Sequence, residues 1–243
     1  GRLSYLYKTV FFAGAVLLIV ALFPKQYKFK YHFTQDKPWM YEDLIAPFDF
    51  TINKTKEEIN SEKEKVIRES IPYFIFDKNI VHEKRNLLAK KINTDNRAES
   101  PDTKQKMLNV CLAVFDSVYK KGILRFNDML RNKEKNFNVY VVCDNVAEKK
   151  TLGDLYTLRE AHQYIINQLN SIAGYDKNDL LNLIESVLIQ NVTYSPGYTN
   201  QDKYAAIQNI SSTKGYVQKN ERIISKGELI NANHYQILQS LKE

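Results

Sequence analysis

Histidine, cysteine and carboxylate side chains are where this chain could do chemistry, and their spacing points to little of it. The four histidines, His32, His82, His162 and His234, stand apart from one another. None is followed by aspartate and none sits in an HExxH pattern, so no metal-ligating or zinc-protease spacing is present. Each reads as a surface or interfacial structural residue. Cys111 and Cys143 set no disulfide framework and no metal spacing. Cys111 falls on an apolar helical stripe and reads as a buried thiol; a Cys111–Cys143 bond stays open if this region lies outside the cytoplasm. Asp43 and Asp49 flank Pro47 and could divide general acid and general base between them. Turn and cap roles are the simpler reading. There is no glycine-rich phosphate loop and no GxSxG elbow, and eight glycines are too few for a nucleotide cradle. No catalytic residue, metal ligand or cofactor is therefore expected. Sixteen tyrosines leave room for a small-molecule or peptide pocket, although tyrosine on half-buried surfaces is ordinary packing.

The elements that would carry such residues begin with an apolar run from Val10 to Phe23, built on Val10, Phe11, Phe12, Leu17, Leu18, Ile19, Leu22 and Phe23. Its 14 residues make about 21 Å of helix against a hydrocarbon core of roughly 30 Å. Extension to Tyr5 and Pro24 gives 20 residues with one charge, Lys8, placed near an end where it can snorkel to the headgroups. Ten Val, Leu, Ile or Phe at about 0.3–0.6 kcal/mol each outweigh a penalty of roughly 3 kcal/mol that an end position reduces. The run is expected to be an uncleaved membrane anchor within residues 1–25. A cleaved signal peptide and a buried core helix are the alternatives; Ala21–Leu22–Phe23–Pro24 lacks the small-residue pair that cleavage wants. Gly1 reads as a truncation point.

The formal charge is +7, yet residues 1–30 hold five Lys or Arg and no acid, which leaves 30 basic against 28 acidic residues elsewhere. The basicity belongs to the membrane flank, and interleaved runs such as Lys54 to Glu69 read as solvated helix faces. Nucleic acid is not an expected partner.

Tyr27, Phe29, Tyr31 and Phe33 alternate with polar residues at the period of a half-buried strand, as do Phe48, Phe50 and Ile52. Thr55 and Glu58 form a capping box for a helix that Pro72 stops. Asp77 caps a second helix, and Ser100–Pro101 opens a third that carries Val110, Cys111, Val114, Phe115 and Val118 to Gly122. Asn138–Cys143 and residues 147–152 read as strands around an Asp144–Asn145 turn. Thr157 with Glu160, and then Asp176, start the two helices of a hairpin. Tyr194 to Tyr198 reads as a turn, with Thr199 capping the next helix. From Tyr216 to Ile230, Lys219–Asn220 and Lys226–Gly227 stand seven residues apart and predict a small β-meander before a helix from Ala232. The expected fold class is α+β, mainly α-helical: helical hairpins with a small sheet from short strands near residues 27–33, 48–52, 138–152 and 216–230. Residues 26–243 would form one domain or two lobes, around 26–122 and 123–243.

Two segments carry a family likeness. Lys37–Pro38–Trp39–Met40, followed by Asp43, Leu44, Pro47, Phe48 and Asp49, resembles the entry to the extracellular domain of the seven-transmembrane HD phosphohydrolases, the PgpH-type cyclic di-AMP phosphodiesterases. Val217 to Ile230, with Lys226, Gly227 and Glu228, resembles the doubled Lys-Gly-Glu pattern that closes that domain before the second membrane helix. Asn220 stands where the first glycine of the pattern would be.

The resemblance implies a first membrane helix and a sensory domain, residues 26–243, on the periplasmic or extracellular side of the cell membrane. Its implied partners are the lipid bilayer, an extracytoplasmic ligand or protein, and the later transmembrane and cytoplasmic HD regions of the same polypeptide. The family's di-metal chemistry belongs to that HD domain, and no HD pair exists here to receive it. The chain is therefore expected to be non-catalytic. Competing expectations are a stand-alone single-pass envelope scaffold or assembly protein, and an exported enzyme with a site invisible in sequence. The aromatic segment after residue 27 is expected to pair with or pack near the terminal meander.

Overall fold

The computed structural model describes residues 8, 10–18, 29–94, 101–172 and 176–243. The fold is α+β and mainly helical, as expected, with its strands in three small sheets. The chain divides into two compact units: Ser61–Ile210, and a unit made from both ends, Gly1–Asn60 with Ser211–Glu243. The division is nested in sequence and does not coincide with lobes at 26–122 and 123–243.

Residues 10–18 are helical and their side chains are exposed. No helix among the described residues is long and apolar enough to cross a membrane. Ile19, Leu22 and Phe23 of the expected anchor lie outside the described residues.

The end unit is an antiparallel ribbon against one helix. Strand β1 (Leu44–Ile45) pairs with β8 (Arg222–Ile224), and β2 (Phe50–Asn53) pairs with β7 (Thr213–Val217). The expected meander is thus corrected: β7 and β8 do not pair with each other, because each finds its ladder on a strand from the other end of the chain. The pairs Pro38↔Leu229, Ile45↔Arg222 and Phe50↔Val217 are in step, with register shifts between Leu44 and Ile45 and between Ile52 and Asn53. Helix α7 (Ala232–Lys242) turns Leu238 and Leu241 into a core with Trp39, Leu44, Ala46, Val217, Ile224 and Ile230.

A second correction concerns residues 29–33, which form no strand. An antiparallel ladder continued from Pro38↔Leu229 would need residues 234–238 as partners, and these are already in α7. The aromatic alternation is used in packing: Phe29, Tyr31 and Phe33 lie against the same core as β7, β8 and α7. Helix α1 (Lys56–Glu69) starts at the expected capping box, with Thr55 N donating to Glu58 Oε2 (2.8 Å) and Glu58 N to Thr55 Oγ1 (3.2 Å). It buries no residue, as its interleaved charges require.

In the middle unit, the sheet order is β5 (Val146–Thr151), β4 (Asn138–Cys143), β3 (Tyr73–Phe76) and β6 (Val192–Tyr194). β4 and β5 form the expected hairpin, with Asp144 and Asn145 both at positive φ. Two strands were not foreseen: β3, parallel to β4, and β6, antiparallel to β3. Helices α2 (Lys78–Thr94) and α3 (Pro101–Lys121) fill the crossover that a parallel pair demands. They pack with α4 (Leu158–Asn170) and α5 (Lys177–Glu185) around Leu88, Ile92, Phe115, Ile165 and Ile184.

Cys111 and Cys143 are free thiols. Burial pushes the Cys111 thiol up to about 12, so it stays protonated and inert. Helix α6 (Pro196–Gln208) is capped by Ser195 with Pro196 at its first position, not by Thr199. Thr199 lies buried in the first turn, where its hydroxyl donates to Ser195 O (2.8 Å) and accepts from Tyr73 N (2.9 Å).

Gly122 ends α3 at φ +89, and a Cβ there would lie 2.8 Å from Val192 Cγ2 and 2.9 Å from Phe76 Cε2. Gly122→Ala is expected to lower stability by about 1–3 kcal/mol through backbone strain and this clash. Urea unfolding measures it, and an unchanged midpoint would refute the assignment.

Candidate functional site

The two ends of the chain are joined by a repeated device. In the first copy, Ser225–Glu228 forms a turn with Gly227 at φ +83. Lys226 N donates to Asp43 Oδ1 (2.9 Å), Gly227 N to Trp39 O (2.8 Å), and Trp39 N to Glu228 O (2.8 Å). The turn closes on itself as Ser225 N donates to Glu228 Oε2 (2.9 Å) and Glu228 N to Ser225 O (3.1 Å).

In the second copy, Gln218–Glu221 forms the same turn with Asn220 at φ +69. Lys219 N donates to Asp49 Oδ1 (2.6 Å), Asn220 N to Ala46 O (2.9 Å), and Ala46 N to Glu221 O (2.8 Å). Gln218 N again donates to Glu221 Oε2 (3.0 Å) and Glu221 N to Gln218 O (3.0 Å). Positive φ at the third turn residue alone is the signature of a type II turn, which glycine and asparagine tolerate best. Asn220 therefore does in the second turn the conformational work that Gly227 does in the first.

These two clasps gather the motif residues into one ribbon. Asp43 and Asp49 are acceptors for turn amides and are not a facing acid and base. Pro38 bridges Leu229, Leu44 is buried in β1, and Trp39 is 1% exposed with its indole N–H donated to Glu42 O (2.8 Å). Pro47 is half-buried within the second clasp, between Ala46 and Asp49. Met40 and Phe48 are exposed, and Phe48 meets Phe50 edge to face. Lys226 extends its ammonium to Glu42 Oε1 (2.6 Å), a surface pair that contributes little.

A polar node fastens the far end of the ribbon to α7. Lys214 Nζ donates to Glu58 Oε1 (2.7 Å) and Gln236 Oε1 (2.5 Å), while Gln236 Nε2 donates to Glu58 Oε2 (2.7 Å) and Asn53 O (2.8 Å). The Lys214 ammonium, then the Thr55 amide and Gln236, hold the Glu58 carboxyl down at about 2. Sequence reasoning found Glu58 only as a cap, because its other partners lie 156 and 178 positions away. Among the described residues, no group of three or more His, Cys, Asp or Glu could hold a metal ion.

Against known proteins, the family described as 7TM-HD extracellular matches residues 41–242. The chain belongs to that family. No curated protein and no solved structure matches it. In this 7TM-HD extracellular domain the matched span takes in both Asp43 and Asp49, both type II turns and all of α7. The matched span thus covers the second clasp whole and the first apart from Trp39.

Two outcomes follow for this 7TM-HD extracellular domain. Asp43→Ala or Asp49→Ala is expected to cost about 0.5–1 kcal/mol, since each removes the charged acceptor of one exposed turn amide. Amide hydrogen exchange should quicken at Lys226 or Lys219 respectively; unchanged protection would refute the clasp. Because Glu58 is held below its ordinary 4.5, the stability it contributes is full above that pH and is lost as pH falls toward about 2. Glu58→Gln should flatten the acid limb of stability while the similar contribution of Glu160, also held at about 2, remains.

Proposed function

We propose that this chain is the non-catalytic extracytoplasmic sensory domain of a membrane-bound HD phosphodiesterase of the PgpH type, whose separate cytoplasmic domain hydrolyses cyclic di-AMP. The observation that carries the reading is the double clasp. One of its strands follows the apolar run closely in sequence, and the other leads directly into α7. A ribbon that locks these two segments together makes the two membrane connections of such a protein one mechanical unit. A ligand that binds the locked and loosened ribbon with different affinity shifts their balance, and the shift reaches whatever is attached to both ends.

The apolar run supports membrane attachment. Phe11 is 82% exposed and Leu17 69% exposed, a display of apolar surface that lipid would cover. On this reading the lipid bilayer and the rest of the polypeptide are the domain's partners, together with an extracytoplasmic ligand or protein.

Asn132 lies exposed in the middle unit. An Asn132→Cys variant is expected to react with a membrane-impermeant maleimide in intact cells; reaction only after lysis places the domain inside and ends the proposal. In the full-length protein, Asp43→Ala combined with Asp49→Ala is expected to change cyclic di-AMP hydrolysis by roughly twofold to thirtyfold, the span of 0.5–2 kcal/mol of coupling. Equal rates at equal membrane levels would show that the clasp carries no signal.

A further inference from the structure

A cavity of about 430 Å³ opens in the end unit beside the Asp43 clasp. Its size falls within the range of small-molecule sites. Aromatic rings form its wall: Tyr31 and Trp39 lie 5.2 Å apart between centroids, and Phe33 meets Tyr235 of α7 at 5.3 Å. Trp39 is buried against Tyr31 with its N–H committed to Glu42 O, so it backs the wall and offers the cavity no donor. The hydroxyls of Tyr31 and Tyr235 have no hydrogen-bond partner among the described residues.

The charge at the rim has one sign. Lys37 and Lys242 both line the cavity, and no aspartate or glutamate does. Neither ammonium makes an ion pair or hydrogen bond among the described residues, unlike Lys214 and Lys226 in the same unit. Two unspent cations over an aromatic wall suit an anion carried on an apolar body: the anion meets the ammonium groups and the body covers the rings.

We propose that this cavity is a binding site for a small anionic amphiphile, a phosphate or carboxylate on an apolar group, gripped by Lys37 and Lys242. The site deepens the sensory reading and rests on it for its output. Lys37 sits in the N-terminal segment just before Pro38, which bridges Leu229, and Lys242 in the last turn of α7, so one bound anion ties the two ends together and favours the locked state.

Trp39 is the chain's single tryptophan, so its indole N–H gives one side-chain signal in a nitrogen-15 correlation spectrum. The full chain in neutral phosphatidylcholine nanodiscs is titrated with phenyl phosphate, phenol and inorganic phosphate. Phenyl phosphate should move the Trp39 signal saturably, with the other two at least about tenfold weaker. Lys37→Gln combined with Lys242→Gln should weaken phenyl phosphate about tenfold and leave phenol unchanged. Both lysines are exposed, and a Trp39 signal at its native position verifies that the variant is folded.

A Trp39 signal indifferent to phenyl phosphate, or a titration the lysine variant does not alter, overturns the proposal. Nanodiscs containing phosphatidylglycerol separate the sources. If they shift the signal without added probe, and the lysine variant abolishes that shift, the anion is a lipid headgroup; if they do not, a soluble amphiphile is the ligand. An empty cavity would leave the clasp's effect on hydrolysis standing, and a silent clasp would leave the titration standing.

Discussion

The end unit depends on the pinning of two left-handed turns by carboxylates from the opposite end of the chain. Asn220 and Gly227 take positive φ, and in each turn the preceding lysine presents its amide to an aspartate more than 160 positions away. A one-residue slip would break both aspartate contacts at once. It would also turn every strand side chain to the opposite face, moving Leu44 and Ile224 out of the core. Short strands such as β1 and β8 carry little register information of their own, so the turns supply it.

Register and stability come from different groups. The clasp hydrogen bonds are largely exposed, and each contributes about 1 kcal/mol or less beyond what water would offer. Burial of Trp39, Ile224, Ile230 and Leu238 supplies more, at roughly 1.5–3 kcal/mol for each fully buried large apolar side chain. Such burial is non-directional and would tolerate several alignments of the two strands. The polar contacts select one, and the Glu58, Lys214 and Gln236 node repeats that role where the ribbon meets α7.

The legible parts of this fold were the local ones. Thr55 with Glu58, Asp77, Thr157 with Glu160, and Asp176 cap helices through contacts two or three residues away, so their residue types announce them. The positive-φ positions Asn145, Asn220 and Gly227 were legible for the same reason. Pairing was not. The alternation of Phe29, Tyr31 and Phe33 is compatible with a strand, yet a strand needs a free ladder, and the residues opposite, 234–238, are wound into α7. Tyr73–Phe76 is only four residues long and gains its order from β4 and β6, both far away in sequence. At the site, the residue types of both motifs were visible as a family likeness. Their meeting as acceptor and donor was not, because nothing in either segment names the other.

The ribbon's geometry also sets how it fails under load. Its strands are antiparallel, and the chain enters at Asp36 and leaves at Ile230 on the same end. Drawing those two points apart acts across the strands, so the cross-strand bonds would break in succession, as a zipper opens, where a lengthwise pull would strain them all together. The Asp36–Ile230 contact would yield first, the Asp43 turn next and the Asp49 turn later. A tug on the C-terminal tail must first free α7 from Asn53 and Glu58, where Ser240, Glu243 and Gln236 hold it, and only then meets the two pinned turns as successive stops.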